Sequence, residues 1–380
     1  MKFELTNKER KYVGLSLVEP QWEKVQLTNE IYLYFDGSLI VKSITVTEKS
    51  YKESDMDEKT SEDRTLLLPK TKKGKPKKLN FTSFQARNGI GTYFSFTAGN
   101  YGVDIANYTT QKTFYSTSFE CIEINDFTAL RNWLTHFIAT APQEHLTAIK
   151  KFGKEERQRV KIKEGDFFAF KVDRENYGFG SVLLDIRKLR KEKFFENETH
   201  LGLSYLMQQP LTVKIYHKIS PHKNIDLTAL KKLLCFPSQY IMDNRLFYGD
   251  YEVIGNLPLE DSELEFPISF SRSIHIDTPE IVYLQWGLIY KETTTQKLPE
   301  DLQDIMYRKE SIGLVIQLNK DILVNCIANN SNDYYWQSNA HYSYKHDLRN
   351  PIHKKHRDKI LKHFGLNPSI PYHKNLLAIN

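Results

Sequence analysis

The sequence predicts an α+β protein of two domains, built largely from antiparallel sheets with flanking helices. The chain has 380 residues, which at about 150 residues per domain indicates two or three domains. Phe, Tyr and Trp make up 13% of the residues, and aromatic side chains favour the half-buried surface of a sheet. Two hairpin patterns and one strong helical pattern complete the prediction.

The first hairpin is predicted near the N-terminus. Residues 31–35 and 38–46 are rich in aromatic and β-branched side chains, and Asp36-Gly37 separates them. Asp-Gly between two such runs is a strong hairpin signal, because the turn needs residues that accept positive φ. Residues 48–64 are polar and mostly charged, with no apolar period, so we expect a loop or a frayed connection there.

A second hairpin and a further strand are predicted next. Residues 92–96 and 103–106 are β-rich and flank the glycine-containing turn 99–102. Residues 114–124 alternate well enough between apolar and polar side chains to predict another strand.

Two helices follow the predicted strands. Asp126 is a suitable N-cap. The apolar residues after it recur at helical spacing, as Phe127, Leu130, Trp133, Leu134, Phe137 and Ile138. Pro142 interrupts this pattern, and residues 144–159 predict a second helix.

The domain boundary is predicted in the charged run 150–157. Residues 1–150 would form a β-rich N-terminal accessory domain that ends in helices. Residues 151–380 would form a second α+β domain with a C-terminal extension.

The second domain is predicted to start with a pair of strands. Residues 166–172 and 177–184 are apolar and aromatic, and the polar residues 173–176 would connect them. Asp226 is a candidate N-cap for a short helix. Further strands are predicted at 211–219, 247–254 and 281–290, and a helix at 351–364.

Composition and charge exclude several classes of protein. The formal net charge is +6, which is too small for this length to indicate a nucleic-acid binder. No run of about 18 apolar residues occurs, which argues against a membrane span. The first ten residues lack the apolar region of a secretory signal. Cys121, Cys235 and Cys326 are far apart and odd in number, which suits a reducing cytosol. We therefore expect a cytoplasmic protein without a membrane association.

Signatures of catalysis and of metal binding are mostly absent from the sequence. It contains no Gly-x-Ser-x-Gly, His-Glu-x-x-His or Cys-x-x-Cys pattern. Gly178-Phe179-Gly180 begins like a dinucleotide-binding turn, but Leu183 stands where the third glycine is needed. His353 and His356 would share a helix face, yet the surrounding lysines and arginines oppose a cation. We therefore expect no catalytic residue, no metal site and no cofactor. An enzyme assembled from distant residues stays an alternative.

The strongest charge feature is a lysine-rich run that contains one glycine and one proline. Its basic residues are Lys70, Lys72, Lys73, Lys75, Lys77 and Lys78. Three interpretations remain open: a solvated loop, a contact with an acidic protein partner, and a nucleic-acid contact through phosphates. We regard nucleic acid as the least favoured of the three.

Residues 160–270 resemble a known family in several short patterns. Gly165-Asp166 leads into the apolar strand 166–172, and Tyr177-Gly178-Phe179-Gly180 opens the next strand. Gly178 and Gly180 would leave room for close backbone or aromatic packing. These patterns are similar to the opening of the immunity protein 26 family of bacterial polymorphic toxin systems. The segments 237–244, 248–249 and 254–256 also resemble members of that family.

The resemblance implies a function without catalysis. An immunity protein of this family would bind its cognate toxin in the cytosol of the producing cell and block it. If the resemblance holds, the toxin contacts are expected around the 165–183 hairpin, at Asp166, Phe168, Tyr177 and Phe179. The positive net charge suits an acidic toxin surface, and it suits a basic one only where acidic side chains form a local patch.

Overall fold

The computed structural model of the protein describes residues 3–99, 102–197, 199–308, 312–338 and 346–379. The chain forms two compact units, Met1–Arg159 and Val160–Asn380. Antiparallel sheets and short helices occur in both units, so the predicted α+β class is confirmed.

Unit 1 is built around a seven-stranded antiparallel sheet with the order β1-β2-β3-β4-β7-β8-β9. Strands β5 and β6 pair separately as a two-stranded ribbon. The described elements are α1 (Asn7–Val13), β1 (Glu23–Gln26), β2 (Ile31–Asp36), β3 (Leu39–Val46), β4 (Ser50–Lys59), β5 (Leu66–Leu67), β6 (Lys77–Lys78), α2 (Phe81–Gln85), β7 (Ile90–Thr97), β8 (Gly102–Asn107), β9 (Thr113–Ser116), α3 (Phe127–Ala139) and α4 (His145–Gly153).

Each face of this sheet packs on its own apolar cluster. Because successive side chains of a strand point to opposite faces, Ile31, Leu33 and Phe35 of β2 join one cluster. Tyr32 and Tyr34 join the other, which also holds apolar residues of α1, α3 and α4. The helices α1, α3 and α4 therefore cover one face of the sheet, and Phe84 of α2 packs on the other.

The two hairpins of unit 1 are confirmed, with one adjustment in the first turn. Asp36 pairs with Leu39, so the two-residue loop is Gly37-Ser38, and Gly37 has a φ of +57°. Strands β7 and β8 form the second hairpin. The strand predicted at 114–124 is shorter than expected, because only Thr113–Ser116 pairs with β8 as a strand.

The predicted loop at 48–64 is wrong over most of its length, since Ser50–Lys59 forms the strand β4 in the middle of the sheet. Buried and exposed residues do alternate along this strand, but several of the buried ones are polar, among them Glu53 and Glu58. The strand β4 therefore has no apolar period by which its sequence could predict it.

The buried carboxylate of Glu53 is neutralised by two cations from other elements. Arg10 Nε of α1 lies 2.7 Å from Glu53 Oε1, and Lys42 Nζ of β3 lies 3.0 Å from the same oxygen. The Tyr51 hydroxyl donates a hydrogen bond to Glu53 as well. This network fixes α1 on the sheet, because a buried charge is tolerated only when it is paired.

The helix predicted after Asp126 is confirmed. The Asp126 carboxylate accepts a hydrogen bond of 2.7 Å from the backbone N–H of Ala129, and α3 extends to Ala139. The second helix, α4, begins at His145 and ends at Gly153, so it is shorter than the predicted range 144–159.

Unit 2 contains a five-stranded antiparallel sheet with the order β13-β12-β11-β10-β14 and a three-stranded sheet with the order β15-β16-β17. Short 3-10 helices lie at Asp261–Glu263, Thr295–Lys297 and Pro351–His353. The other described elements are β10 (Asp166–Lys171), β11 (Tyr177–Asp185), α5 (Ile186–Lys191), α6 (Phe194–Asn197), α7 (Leu201–Ser204), β12 (Pro210–Ser220), α8 (Leu227–Lys231), β13 (Gln239–Met242), α9 (Asn244–Phe247), β14 (Glu252–Asn256), β15 (Ile268–Arg272), β16 (Ile281–Trp286), β17 (Ile289–Thr294), α10 (Glu300–Gln303), α11 (Lys320–Asn329), α12 (Asp333–Gln337), α13 (Lys354–His363) and α14 (Tyr372–Ile379).

Most predicted elements of unit 2 are present. The strand pair β10–β11, the strand β12, the helix capped by Asp226 and the helix α13 are confirmed. The strand predicted at 247–254 is displaced, since Asn244–Phe247 is helical and β14 begins at Glu252. The run 281–290 is divided between β16 and β17 by a turn at Gly287.

The main core of unit 2 joins its two sheets to the C-terminal helices. Leu183 and Leu184 of β11 and Phe270 of β15 share one apolar cluster with Leu302 of α10 and Ile360 of α13. Residues after 280 therefore complete the core that the earlier strands begin.

A buried guanidinium adds a polar connection between the same parts of the chain. Arg349 forms two hydrogen bonds with the buried carboxylate of Asp347, at 3.0 and 2.8 Å. Its Nη1 atom also lies 2.6 Å from Glu265 Oε1 and 3.2 Å from Ser238 Oγ. The segment near residue 349 is thus attached to residues 238 and 265 by charged hydrogen bonds, which are stronger than neutral ones.

We predict that Arg349→Met lowers the free energy of unfolding by about 3–5 kcal/mol, because it leaves buried Asp347 without the guanidinium that neutralises it. Urea unfolding of the full chain, followed by circular dichroism, measures this loss. Arg357→Met is the matched control: Arg357 is half-buried and pairs with its neighbour Asp358 at 3.3 Å, so it should cost less than about 1 kcal/mol. Similar losses in the two variants would contradict the conclusion that Arg349 neutralises the buried Asp347 carboxylate.

A buried histidine makes the stability of unit 2 depend on pH. His217 Nε2 lies 2.9 Å from Asn332 Oδ1, and the Asn332 amide nitrogen donates to the Cys235 carbonyl at 2.8 Å. Nε2 must therefore carry the proton of this bond. Among the described residues His217 Nδ1 has no hydrogen-bond partner, so a second proton would be buried without an acceptor. Burial lowers the pKa of His217 below 6.5, and the Asn332 bond opposes this only in part.

We predict that the protein loses stability as the pH falls below 6.5. The unfolded chain then binds a proton that the folded chain resists, at a cost of at most about 1.4 kcal/mol per pH unit. His217→Gln should remove this part of the pH dependence, and His222→Gln, at an exposed position of the same unit, should retain it. The measurement is urea unfolding between pH 5 and 8. Identical profiles for wild type and His217→Gln would exclude His217 as the titrating group.

Candidate partner-binding surface

The hairpin β10–β11 carries the four residues that the sequence singles out for toxin contact. Asp166 and Phe168 lie on β10, and Tyr177 and Phe179 lie on β11. The antiparallel register pairs Ala169 with Phe179, so the structure does bring the four residues together in one hairpin.

Three of the four side chains are enclosed by unit 2 itself. The Phe168 ring stacks on Tyr251 with 5.8 Å between the ring centroids, and Phe179 belongs to an apolar cluster with Tyr216. Asp166 is buried and accepts hydrogen bonds of 2.9 Å from the Lys163 backbone N–H and from Asn256 Nδ2. These three residues hold the hairpin together and offer little surface to a partner.

The glycines of β11 explain how two large rings fit beside this strand. A Cβ atom at Gly180 would lie 2.5 Å from Phe168 Cζ, and one at Gly178 would overlap the ring of Phe170. The close aromatic packing that the Tyr-Gly-Phe-Gly pattern predicts is therefore present, and it is a packing feature of the core.

The accessible part of the hairpin is its turn. Tyr177 is half-buried, and Lys223 Nζ lies 5.1 Å from the centre of its ring. In the turn, Asp173 Oδ2 lies 2.8 Å from Lys320 Nζ. Burial alone would raise the pKa of Asp173, but the Lys320 bond and the bonds from backbone N–H groups lower it below its ordinary value. Asp173 therefore stays ionised and anchors the turn to α11.

The lysine-rich run forms an exposed arm of unit 1, which consists of the ribbon β5–β6 and the loop between its strands. Lys77 and Lys78 pair with Leu67 and Leu66. Lys70 Nζ lies 2.5 Å from Glu58 Oε1, a buried carboxylate that also has Arg87 Nε at 3.5 Å. In the described part of the chain, the other five lysines are exposed and form no ion pair; they are Lys72, Lys73, Lys75, Lys77 and Lys78.

The loop 273–280 connects β15 to β16 and exposes large apolar side chains, which the sequence patterns do not predict. Ile274 and Ile276 stand in it among polar residues and beside Pro279. A turn-forming segment that contains two isoleucines is the sequence signal for such a feature. Nothing in a periodic pattern shows that these side chains point to solvent.

A cleft of about 470 Å³ lies elsewhere in unit 2. Its lining includes His200, Tyr290 and Glu292. The Tyr290 hydroxyl donates a hydrogen bond of 2.7 Å to Glu292 Oε2, and burial together with this carboxylate raises the pKa of Tyr290. His200 Nδ1 lies 3.0 Å from Gln285 Nε2. The tyrosine hydroxyl thus stays protonated at neutral pH, and its one O–H is donated to Glu292.

The described residues contain neither a cluster of metal ligands nor a helix suited to a membrane. No group of three or more His, Cys, Asp or Glu side chains within them could hold a metal ion. His353 and His356 instead contact the Tyr307 hydroxyl, with Nδ1 atoms at 3.3 and 2.6 Å. No helix in the same ranges is long and apolar enough to cross a membrane.

Comparison with protein families gives one match. Residues 163–279 match the family model described as Immunity protein 26. Comparisons with curated proteins and with solved structures found no match. The matched segment extends from three residues before β10 into the loop 273–280, and it shares its core with the residues that follow it. The resemblance predicted for residues 160–270 is therefore confirmed over a segment of the chain.

Proposed function

We propose that this chain is an immunity protein of a bacterial polymorphic toxin system, which binds a cognate toxin in the cytoplasm and neutralises it without catalysis. The match of residues 163–279 to the Immunity protein 26 family model carries this proposal. The N-terminal region is then an accessory domain attached to the immunity-protein-like domain.

The geometry of unit 2 supports inhibition by binding. Its strands are held by a continuous apolar core and by buried ion pairs such as Arg349–Asp347. Such a scaffold keeps its shape when it binds and presents loops and turns to the partner. A preordered surface loses little conformational entropy in the complex, which favours high affinity.

We predict that neutralisation is stoichiometric. Tagged protein recovered from its own cells at moderate salt identifies the bound toxin by mass spectrometry, and the toxin domain is then produced recombinantly. Titration of a fixed amount of this toxin domain with the purified chain should abolish toxic activity at a constant molar ratio, with excess toxin remaining active. Catalytic inactivation would instead proceed at ratios far below equimolar.

Survival of cells that express the toxin domain supplies the second readout. Cells should survive only with the folded chain, so a variant of the chain that circular dichroism shows to be unfolded is the matched control. Survival with that control would contradict neutralisation by binding. Failure of the wild-type chain to bind or protect would overturn the proposed function.

The lysine-rich arm of unit 1 supports a second candidate, a nucleic-acid-binding or defence-associated function. Five of its lysines are exposed without an ion pair in the described part of the chain. Two of the acidic residues that precede the arm have other partners, because Asp55 contacts Lys42 and Glu58 contacts Lys70 and Arg87.

For this candidate, we predict salt-dependent binding of a fluorescent 20-base-pair DNA duplex. If the arm makes four phosphate contacts, a rise in salt from 50 to 200 mM should weaken binding roughly 100-fold. The variant with alanine at Lys72, Lys73, Lys77 and Lys78 should lose this binding, whereas alanine at the exposed Lys8 and Lys11 should not. Fluorescence anisotropy measures both. Equal affinity of the two variants would eliminate the candidate.

A further inference from the structure

The loop 273–280 exposes one large aliphatic side chain almost completely to solvent. Ile276 is 93% exposed and Ile274 is 57% exposed. A fully buried isoleucine stabilises a structure by about 1.5–3 kcal/mol, and Ile276 contributes almost none of this to its own fold. Burial of the Ile276 side chain in a complex would supply this stabilisation to the complex instead.

Hydrogen bonds hold the loop in one conformation. At its base, the Ser273 N–H donates to the Ile281 carbonyl at 2.8 Å, and the Thr278 N–H donates to the His275 carbonyl at 3.2 Å. The Ser273 hydroxyl lies 3.1 Å from Thr278 Oγ1 and accepts a bond of 3.1 Å from the His275 N–H. Ile276 is therefore presented in a fixed position.

An aromatic ring supports the loop from beneath. The Tyr205 hydroxyl lies 3.2 Å from Ser273 Oγ and accepts a hydrogen bond of 3.2 Å from the Ile274 N–H. The His275 ring packs on Tyr205 with 5.4 Å between centroids, and the Arg308 guanidinium lies 5.5 Å from the centre of the same ring.

The charges around the tip limit the kind of partner. Asp277 and Glu280 are exposed, and neither forms an ion pair in the described part of the chain. Two carboxylates free of ion pairs, Asp277 beside the anchor and Glu280 at the end of the loop, repel phosphate polymers and anionic lipid surfaces. A protein pocket with basic side chains at its rim would be complementary to them.

We propose that Ile276 is the anchor by which this protein binds its toxin, and that the toxin offers an apolar pocket with a basic rim. This inference rests on the proposed function and specifies the surface that carries it out. The loop belongs to the segment 163–279 that matches the family model, apart from Glu280. The acidic pair provides the local patch that lets a chain of net charge +6 bind a basic surface.

The test measures the Kd of the full chain for the recombinant toxin domain by calorimetry. Loss of one apolar carbon, of three, and of three with a carboxylate added should weaken binding in a graded series. We expect about 4-fold for Ile276→Val, about 50-fold for Ile276→Ala and at least roughly 100-fold for Ile276→Asp. Lysine at both Asp277 and Glu280 should lower the association rate and its dependence on salt.

Leu377→Asp is the matched control. Leu377 is 70% exposed and lies on α14, which contacts the opposite end of the three-stranded sheet through the Tyr372 hydroxyl and the Leu288 N–H at 3.0 Å. It should leave the Kd unchanged, and both aspartate variants should keep the wild-type melting temperature.

Four results would overturn the inference. Wild-type affinity in Ile276→Asp would do so while leaving the proposed function intact. Faster association of the double lysine variant would show that the rim of the toxin pocket is acidic and not basic. A dimer of the free protein that Ile276→Asp dissolves in sedimentation experiments would show that a second copy occupies the anchor. Absence of toxin binding by the wild-type chain would remove the proposed function, and this inference with it.

Discussion

A charged side chain that leaves water must be paired, and this constraint determines how both units hold together. In unit 1, Glu53 on a central strand is enclosed with Arg10 and Lys42, which fixes the first helix on the sheet. In unit 2, Arg349 is enclosed with Asp347 and Glu265, which attaches the C-terminal part to the earlier strands. Such pairs contribute little net stability compared with apolar packing, but removing one partner is costly. Their main effect is therefore to exclude alternative arrangements of segments that are distant in sequence.

The same constraint explains which elements the sequence reveals. The hairpin at Gly37 and the helix after Asp126 depend on local signals, a turn residue and an N-cap, and both are predicted. Strand β4 depends on Arg10, which is 43 residues away from Glu53, so its inward-facing residues read as solvent-exposed ones. The start of β14 depends on pairing with β10, where Val253 lies opposite Phe168. The pattern of residues within one segment contains no information about a distant ion-pair partner or about the strand with which the segment pairs.

The candidate site is predicted in part for a related reason. The Gly-Asp and Tyr-Gly-Phe-Gly patterns locate the β10–β11 hairpin and its close packing correctly. They do not show that β10 lies between β11 and β14, with apolar side chains on both faces. On such a strand the aromatic residues form the core. The exposed side chain of Ile276 escapes sequence reasoning for the opposite reason: an isoleucine in a short turn segment reads as buried, and only the hydrogen bonds of the loop hold it outward.

Net charge is a poor guide to the partner of this protein, because its free charges are segregated. The lysine-rich arm of unit 1 is positive, while the loop 273–280 in unit 2 carries two carboxylates that form no ion pair in the described part of the chain. The total of +6 averages over features that a partner meets one at a time, since the field of a charge in salt solution falls off within about 8–10 Å. An interface formed at the loop is governed by Asp277 and Glu280, and one formed at the arm by its lysines. A single chain can therefore present an acidic surface to one macromolecule and a basic surface to another.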